Sequence, residues 1–166
     1  MTLHIRSSAQ GDEALILGFI RELAEYEKLA DEVVATEAQL KATLFCNAPK
    51  AFALIAEQDG APVGFALYFF NYSTFLGKHG LYLEDLYVRE SARGQGAGKA
   101  LLAELARIAL EHDCGRMEWS VLDWNTPSIE FYKALGAVPM DEWTVFRLTD
   151  APLTKLAKMA PERAAQ

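Results

Sequence analysis

Three glycines alternate in the run Arg93-Gly94-Gln95-Gly96-Ala97-Gly98-Lys99, between an apolar stretch ending at Val88 and an amphipathic one that starts near Ala97. Residues of this kind at this spacing suit a phosphate. Glycine permits close backbone approach and positive φ, and a helix beginning at Ala97 turns unpaired N–H groups and the positive end of its dipole toward the loop. Arg93 and Lys99 supply mobile positive charge beside it. A nucleotide P-loop is excluded, because Arg93 stands where the first glycine belongs and Ala100 where the Mg²⁺-binding hydroxyl belongs. A dinucleotide G-x-G-x-x-G also fails: from Gly94 the count ends on Lys99, and from Gly96 on Leu101. Arg93-x-x-Gly96-x-Gly98 remains.

Elements that could position this loop are legible on both sides of it. Leu3 to Arg6 predicts a first strand, and Asp12 to Lys28 a helix with Leu15, Phe19, Leu23 and Tyr26 on one stripe. Thr36 and Gln39 form a capping box, predicting a helix to about Phe45. Ala51 to Glu57 and Pro62 to Phe70 read as strands joined at Asp59-Gly60, a hairpin signal. Leu81 to Val88 is the strand before the loop, and Leu101, Leu102, Leu105 and Ile108 give the following helix one apolar face. Met117 to Leu122 predicts another strand. Thr126-Pro127 then opens a helix with a capping hydroxyl, Gly136 closes it, Glu142 to Leu148 predicts a last strand, and a short helix begins near Asp150. A strand–loop–helix–strand unit beside an antiparallel hairpin requires a mixed α/β sheet.

With 166 residues, 51% of them hydrophobic, the chain is read as a single domain, 1–166, able to bury a core. The start Met1-Thr2-Leu3-His4-Ile5-Arg6 has no apolar run after a basic segment, and the longest apolar stretch, 64–70, is too short for a bilayer. The expectation is a soluble cytoplasmic protein without a membrane partner. A net charge of −7, from 23 acidic and 16 basic residues, argues against nucleic acid and would steer cations weakly. Cys46 and Cys114 have neither disulfide nor metal-ligand spacing and are expected to be buried thiols. His4, His79 and His112 are scattered, so no metal site is expected.

The loop, taken with the order β-α-α-β-β-β-α-β-α-β, resembles the GCN5-related N-acetyltransferases (GNAT), which bind acetyl-CoA. Further segments are similar to the diamine (spermidine/spermine) and thialysine N-acetyltransferases within that superfamily: 22–27 (ELAEYE), 63–69 (VGFALYF), 81–88 (LYLEDLYV) and 124–133 (WNTPSIEFYK). The resemblance implies a mostly antiparallel mixed sheet, flanked by helices and splayed as a V between strands 4 and 5. It also implies acetyl-CoA as cosubstrate, a small amine as acceptor and a homodimer.

Carried over residue by residue, the resemblance assigns the thioester end of acetyl-CoA to Leu86, Tyr87 and Val88. It assigns the pyrophosphate to Arg93, Gly94, Gln95, Gly96, Ala97, Gly98 and Lys99, with further contacts from Asn125, Pro127, Ser128 and Tyr132. The attacking amine is an ammonium with a pKa of about 10 and must lose a proton first. Glu84 is the candidate base, through water, although an inward acid paired with a neighbour or gripping the cationic substrate would look the same. The departing thiolate needs a proton, and the family pattern assigns it to Tyr132. Without the resemblance Tyr132 would be read as a core aromatic. Tyr26, Glu27, Glu84, Asp85, Glu142 and Trp143 are the implied amine pocket, with carboxylates for a distal ammonium and Trp143 for its alkyl stem. The segment between Gly136 and Trp143 is shorter than in the animal polyamine enzymes. Two other functions fit the same residues: acetylation of an amino acid or protein amine, and non-catalytic acyl-CoA binding.

Overall fold

A computed structural model describes residues 1–163. It divides into two compact units, Met1–Asp123 and Trp124–Gln166. The first contains β1 (Leu3–Ser7), α1 (Glu13–Tyr26), α2 (Glu37–Leu44), β2 (Phe52–Gln58), β3 (Ala61–Ser73), β4 (Lys78–Val88), α3 (Ala97–Glu111) and β5 (Met117–Trp119). The strands form one sheet in the order β1-β2-β3-β4-β5, antiparallel throughout except for the parallel β4–β5 pair. This is the mixed, mostly antiparallel sheet the sequence predicts.

Local chemistry explains the boundaries. Thr36 Oγ1 accepts from Gln39 N (3.2 Å) and Gln39 Oε1 from Thr36 N (2.9 Å), so the capping box holds two otherwise orphaned donors of α2. Asp59 and Gly60 both take positive φ, 50° and 81°, the conformation of a type I′ hairpin turn. One sheet face packs on α1 and α2 through Ile16, Phe19, Leu40, Leu44, Ala53, Ile55 and Phe65. Phe19 stacks on Phe65 at 5.5 Å. Neighbouring strand residues point the other way, and α3 buries Leu101, Leu102, Leu105 and Ile108.

Several expectations need correction. The β3–β4 hairpin is longer than predicted: Asn71–Ser73 pair with Gly80–Lys78, polar residues that read as a loop but complete one another's backbone bonds. β5 stops at Trp119 rather than Leu122. Cys46 is exposed, because it lies beyond the last turn of α2; Cys114 is half-buried, and burial raises its thiol pKa.

In the second unit, α4 spans Thr126–Ala134 and α5 spans Asp150–Ala157. Asn125, not Thr126, caps α4: its Oδ1 accepts from Ser128 N (3.4 Å), with Pro127 in the first turn. Gly136 (φ 92°) closes it as predicted, with Gly136 N bonded to Lys133 O and Ala137 N to Tyr132 O. The predicted strand Glu142 to Leu148 is absent, and Val145 and Phe146 are exposed. Alternating apolar residues become a strand only beside another strand that completes their hydrogen bonds, and the described residues give this segment none.

Candidate functional site

β4 changes character along its length. Leu81, Tyr82 and Leu83 pair with β5 at Met117, Glu118 and Trp119, and the parallel ladder ends there. From Glu84 to Val88 the strand keeps β3 on one side, while no β5 residue pairs with its other edge. This is the splay implied for strands 4 and 5. Arg89 N bonds to Val63 O on β3, so alternation along the strand turns the backbone groups of Leu86 and Val88 to the unpaired edge, where Leu86 and the Val88 amide can meet an extended ligand.

The same point carries a bulge. Leu67 pairs with Asp85 and Tyr68 with Leu83, so Glu84 is an extra residue in β4. The parity of the strand flips across it. Leu81 and Leu83 share a face with Leu86 and Val88, and Asp85 joins Tyr87 on the face toward α1. Glu84 is exposed; Asp85 is half-buried. Burial, then the neighbouring charges of Glu84 and Glu27, push the Asp85 carboxyl up to about 6. Burial also raises the Glu27 pKa. Glu27, at the end of α1, therefore lies in the electrostatic reach of Asp85, and the structure brings three of the predicted amine-pocket acids together. Tyr26, the last residue of α1, is adjacent in the chain.

Past Val88 a single helical turn leads to the glycines. Gly94 (φ 74°) and Gly96 (φ 92°) occupy the left-handed region, so a side chain at either would strain the backbone. Gly96 is the N-cap of α3, and Ala100 N makes the first helical bond to its carbonyl (2.9 Å). The amides of Ala97, Gly98 and Lys99 therefore have no intrahelical acceptor. Gly98 is different: its φ is ordinary, and a Cβ there would touch only Val88 at 3.8 Å. Nothing in the protein requires glycine at 98. The three unpaired amides at this helix start suit a pyrophosphate, and a glycine at 98 keeps their approach clear.

Arg93 is not the mobile charge it was expected to be. Its Nε donates to Val88 O (2.9 Å), and its guanidinium lies over the rings of Tyr26 (4.8 Å) and Tyr87 (5.7 Å). Gln95 bonds to Gln58 and donates to Ser91 O (3.3 Å). Two residues outside the predicted set brace the end of β4. Arg89 grips both oxygens of Glu22 (2.9 and 3.0 Å), donates to Pro62 O (3.0 Å) and covers Phe19 at 4.7 Å. Burial and the hydrogen bond and charge of Glu22 raise the Tyr87 pKa. The signal for Glu22 was its place four residues before Tyr26, on the same face of α1. Gly64 admits this arrangement, since a Cβ there would sit 2.6 Å from Tyr87 O.

In the second unit Asn125 is buried, Ser128 and Tyr132 are half-buried, and Pro127 is exposed. Glu142 and Trp143 are exposed and lie outside any strand, Trp143 at 77%. Among the described residues no three His, Cys, Asp or Glu side chains cluster as metal ligands, and no helix is long and apolar enough to cross a membrane.

The model of the Acetyltransferase (GNAT) family matches residues 20–137. The chain is 42% identical to thialysine N-epsilon-acetyltransferase of Bos taurus over 164 residues, covering 92% of this chain and 96% of that one. It is 31% identical to L-ornithine N5-acetyltransferase NATA1 of Arabidopsis thaliana, over 96% and 90% of the two chains. Among solved structures, an integron cassette protein from the mobile metagenome of V. cholerae superposes with a TM-score of 0.79 at 30% identity, covering 95% of this chain and 99% of that one.

Proposed function

We propose that this chain, which belongs to the acetyltransferase (GNAT) family and is an N-acetyltransferase acting on a small amine, takes as its acceptor a primary amine of a diamine, polyamine or lysine analogue. The observation that carries this reading is the second half of β4, where an open strand edge, two consecutive carboxylates and a helix-starting glycine loop follow one another within residues 84–98. Both named relatives act on amino acids bearing a second amine on the side chain, as their names state.

Acetyl-CoA supplies an acetyl thioester. In our reading the amides of Ala97, Gly98 and Lys99 hold its pyrophosphate, and the edge of Leu86, Tyr87 and Val88 holds its pantetheine arm. Gly96→Asp then weakens CoA binding, because a carboxylate enters the phosphate cradle. Glu84 takes the proton from the ammonium through water, its exposure giving it that solvent. Half-buried Asp85 favours a second reading: a carboxyl pushed up to about 6 accepts a proton near neutral pH more readily than one in its ordinary range. Glu27 and whichever acid is not the base hold the distal ammonium, with Tyr26, Glu142 and Trp143 along the amine. Tyr132 protonates the departing thiolate. That role rests on the family pattern, as do the contacts of Asn125, Pro127 and Ser128.

We read the chain as one acetyltransferase domain, since the matched region crosses from the first unit into the second. We also read it as a cytoplasmic homodimer. Nucleic acid and membranes are not partners in this reading, given the net charge of −7. A panel of amines, assayed with acetyl-CoA for release of free thiol, tests the proposal. A diamine should exceed a monoamine of equal length in kcat/KM, with the advantage shrinking as salt is raised. Equal kcat/KM for the two removes the diamine preference.

A further inference from the structure

Arg93 is the side chain whose place in the structure departs furthest from its place in the motif. A guanidinium reserved for phosphate would be free to swing toward the helix start. This one is held at three points instead: Nε on the carbonyl of Val88, one face over Tyr26, and the ring of Tyr87 close by. Val88 is the last residue of β4 and Tyr26 the last of α1. These two element ends carry the acids: Glu27 follows Tyr26, and Asp85 lies three residues before Val88. The electrostatic influence of Glu27 on Asp85 depends on the two ends staying together. Glu22 already answers Arg89 with both oxygens, which fixes the base of the same joint.

We propose that Arg93 is a positioning residue: it fastens the end of α1 to the end of β4 and thereby sets the spacing of the amine-side acids, while the backbone amides alone receive the pyrophosphate. This rests on the acetyltransferase reading and adds a coupling between the donor loop and the acceptor pocket. The fit is chemical as well as geometric. Only a planar guanidinium can donate through Nε while stacking its face on an aromatic ring; a lysine ammonium offers the charge without either.

Arg93→Lys and Arg93→Met separate the two roles. A phosphate ligand is served by any nearby cation, so lysine would restore the CoA affinity that methionine loses, and KM for 1,4-diaminobutane would stay unchanged. A positioning residue is not rescued by charge. We expect both variants to bind CoA equally in calorimetry and to raise KM for 1,4-diaminobutane by about fivefold or more, a shift in acceptor binding rather than in the chemical step. Rescue by lysine, or an unchanged diamine KM, overturns the proposal. Tyr26→Leu supplies a second check should Arg93→Met fail to fold. In that background Arg93→Lys should have a much smaller effect on diamine KM than in the native chain, whereas fully additive effects overturn the proposal. If the native chain acetylates no amine, the functional reading fails instead, and the CoA titrations still judge whether lysine replaces Arg93.

Discussion

The two halves of β4 are built from the same kind of residues and do different work. From Leu81 to Leu83 the strand lies between β3 and β5, and Leu81 and Leu83 are almost fully buried. From Glu84 to Val88 it has one neighbour, an extra residue and a half-buried carboxylate whose pKa is raised. The first half contributes to the core in the ordinary way. The second gives up strand pairing and carboxylate solvation, both of which favour folding, and what it gains is a polar edge and a carboxyl near neutral pKa. Losing β5 at Trp119 and inserting Glu84 are therefore one device: the bulge turns Asp85 to the α1 side at the point where the neighbouring edge opens.

The contrast can be broken first by chemistry. Removing the base should lower kcat by about 10²–10⁴-fold, the usual contribution of general base catalysis. Steady-state kinetics of Glu84→Gln and Asp85→Asn identify which residue carries that loss, and near-native kcat in both would end the assignment of a base to this half. Leu83→Ala should do the reverse. It removes a buried side chain and should cost about 2–5 kcal/mol in denaturant unfolding, with CoA affinity in the folded protein little changed.

Asp85 should be visible in stability as well as in rate. Its carboxyl is raised from 3.8 to about 6, so the folded state binds its proton more tightly than the unfolded chain does. Stability therefore falls as pH rises from about 4 to about 6, by an amount bounded at about 3 kcal/mol, and stays low above that range. Asp85→Asn should flatten this slope and leave the protein about 1–3 kcal/mol more stable at pH 8, where the native carboxylate is charged and half-buried. An unchanged unfolding profile would mean the carboxylate is solvated in the folded state. The smallest expected effect is at Gly98. Alanine fits the space and suits a helix, so Gly98→Ala should keep or raise stability by up to about 1 kcal/mol while weakening CoA. Unchanged CoA affinity would free that position from the ligand.

Much of this was legible from residue spacing. Thr36 and Gln39 announce α2, Asp59-Gly60 the β2–β3 turn, and Gly94, Gly96 and Gly98 the helix start, because each depends on local backbone chemistry. The bulge was written in the sequence too: apolar positions 81 and 83, then 86 and 88, skip one step, but a run that is polar only at Glu84 and Asp85 reads as an uninterrupted strand. What local pattern could not give depends on distant partners. Asn71–Ser73 became strand because Lys78–Gly80 faced them, and Glu142–Leu148 remained without strand pairing. Arg93 was placed by Tyr26, 67 positions away in the chain, and a motif cannot foresee a side chain drawn off by an aromatic ring.

Amide hydrogen exchange with and without CoA tests the division of β4 most directly. Added CoA should slow exchange among the amides of Glu84–Val88 and Ala97–Lys99, and leave those of Leu81–Leu83, already paired on both sides, unchanged. Protection confined to other segments, or spread equally over both halves of the strand, would contradict it.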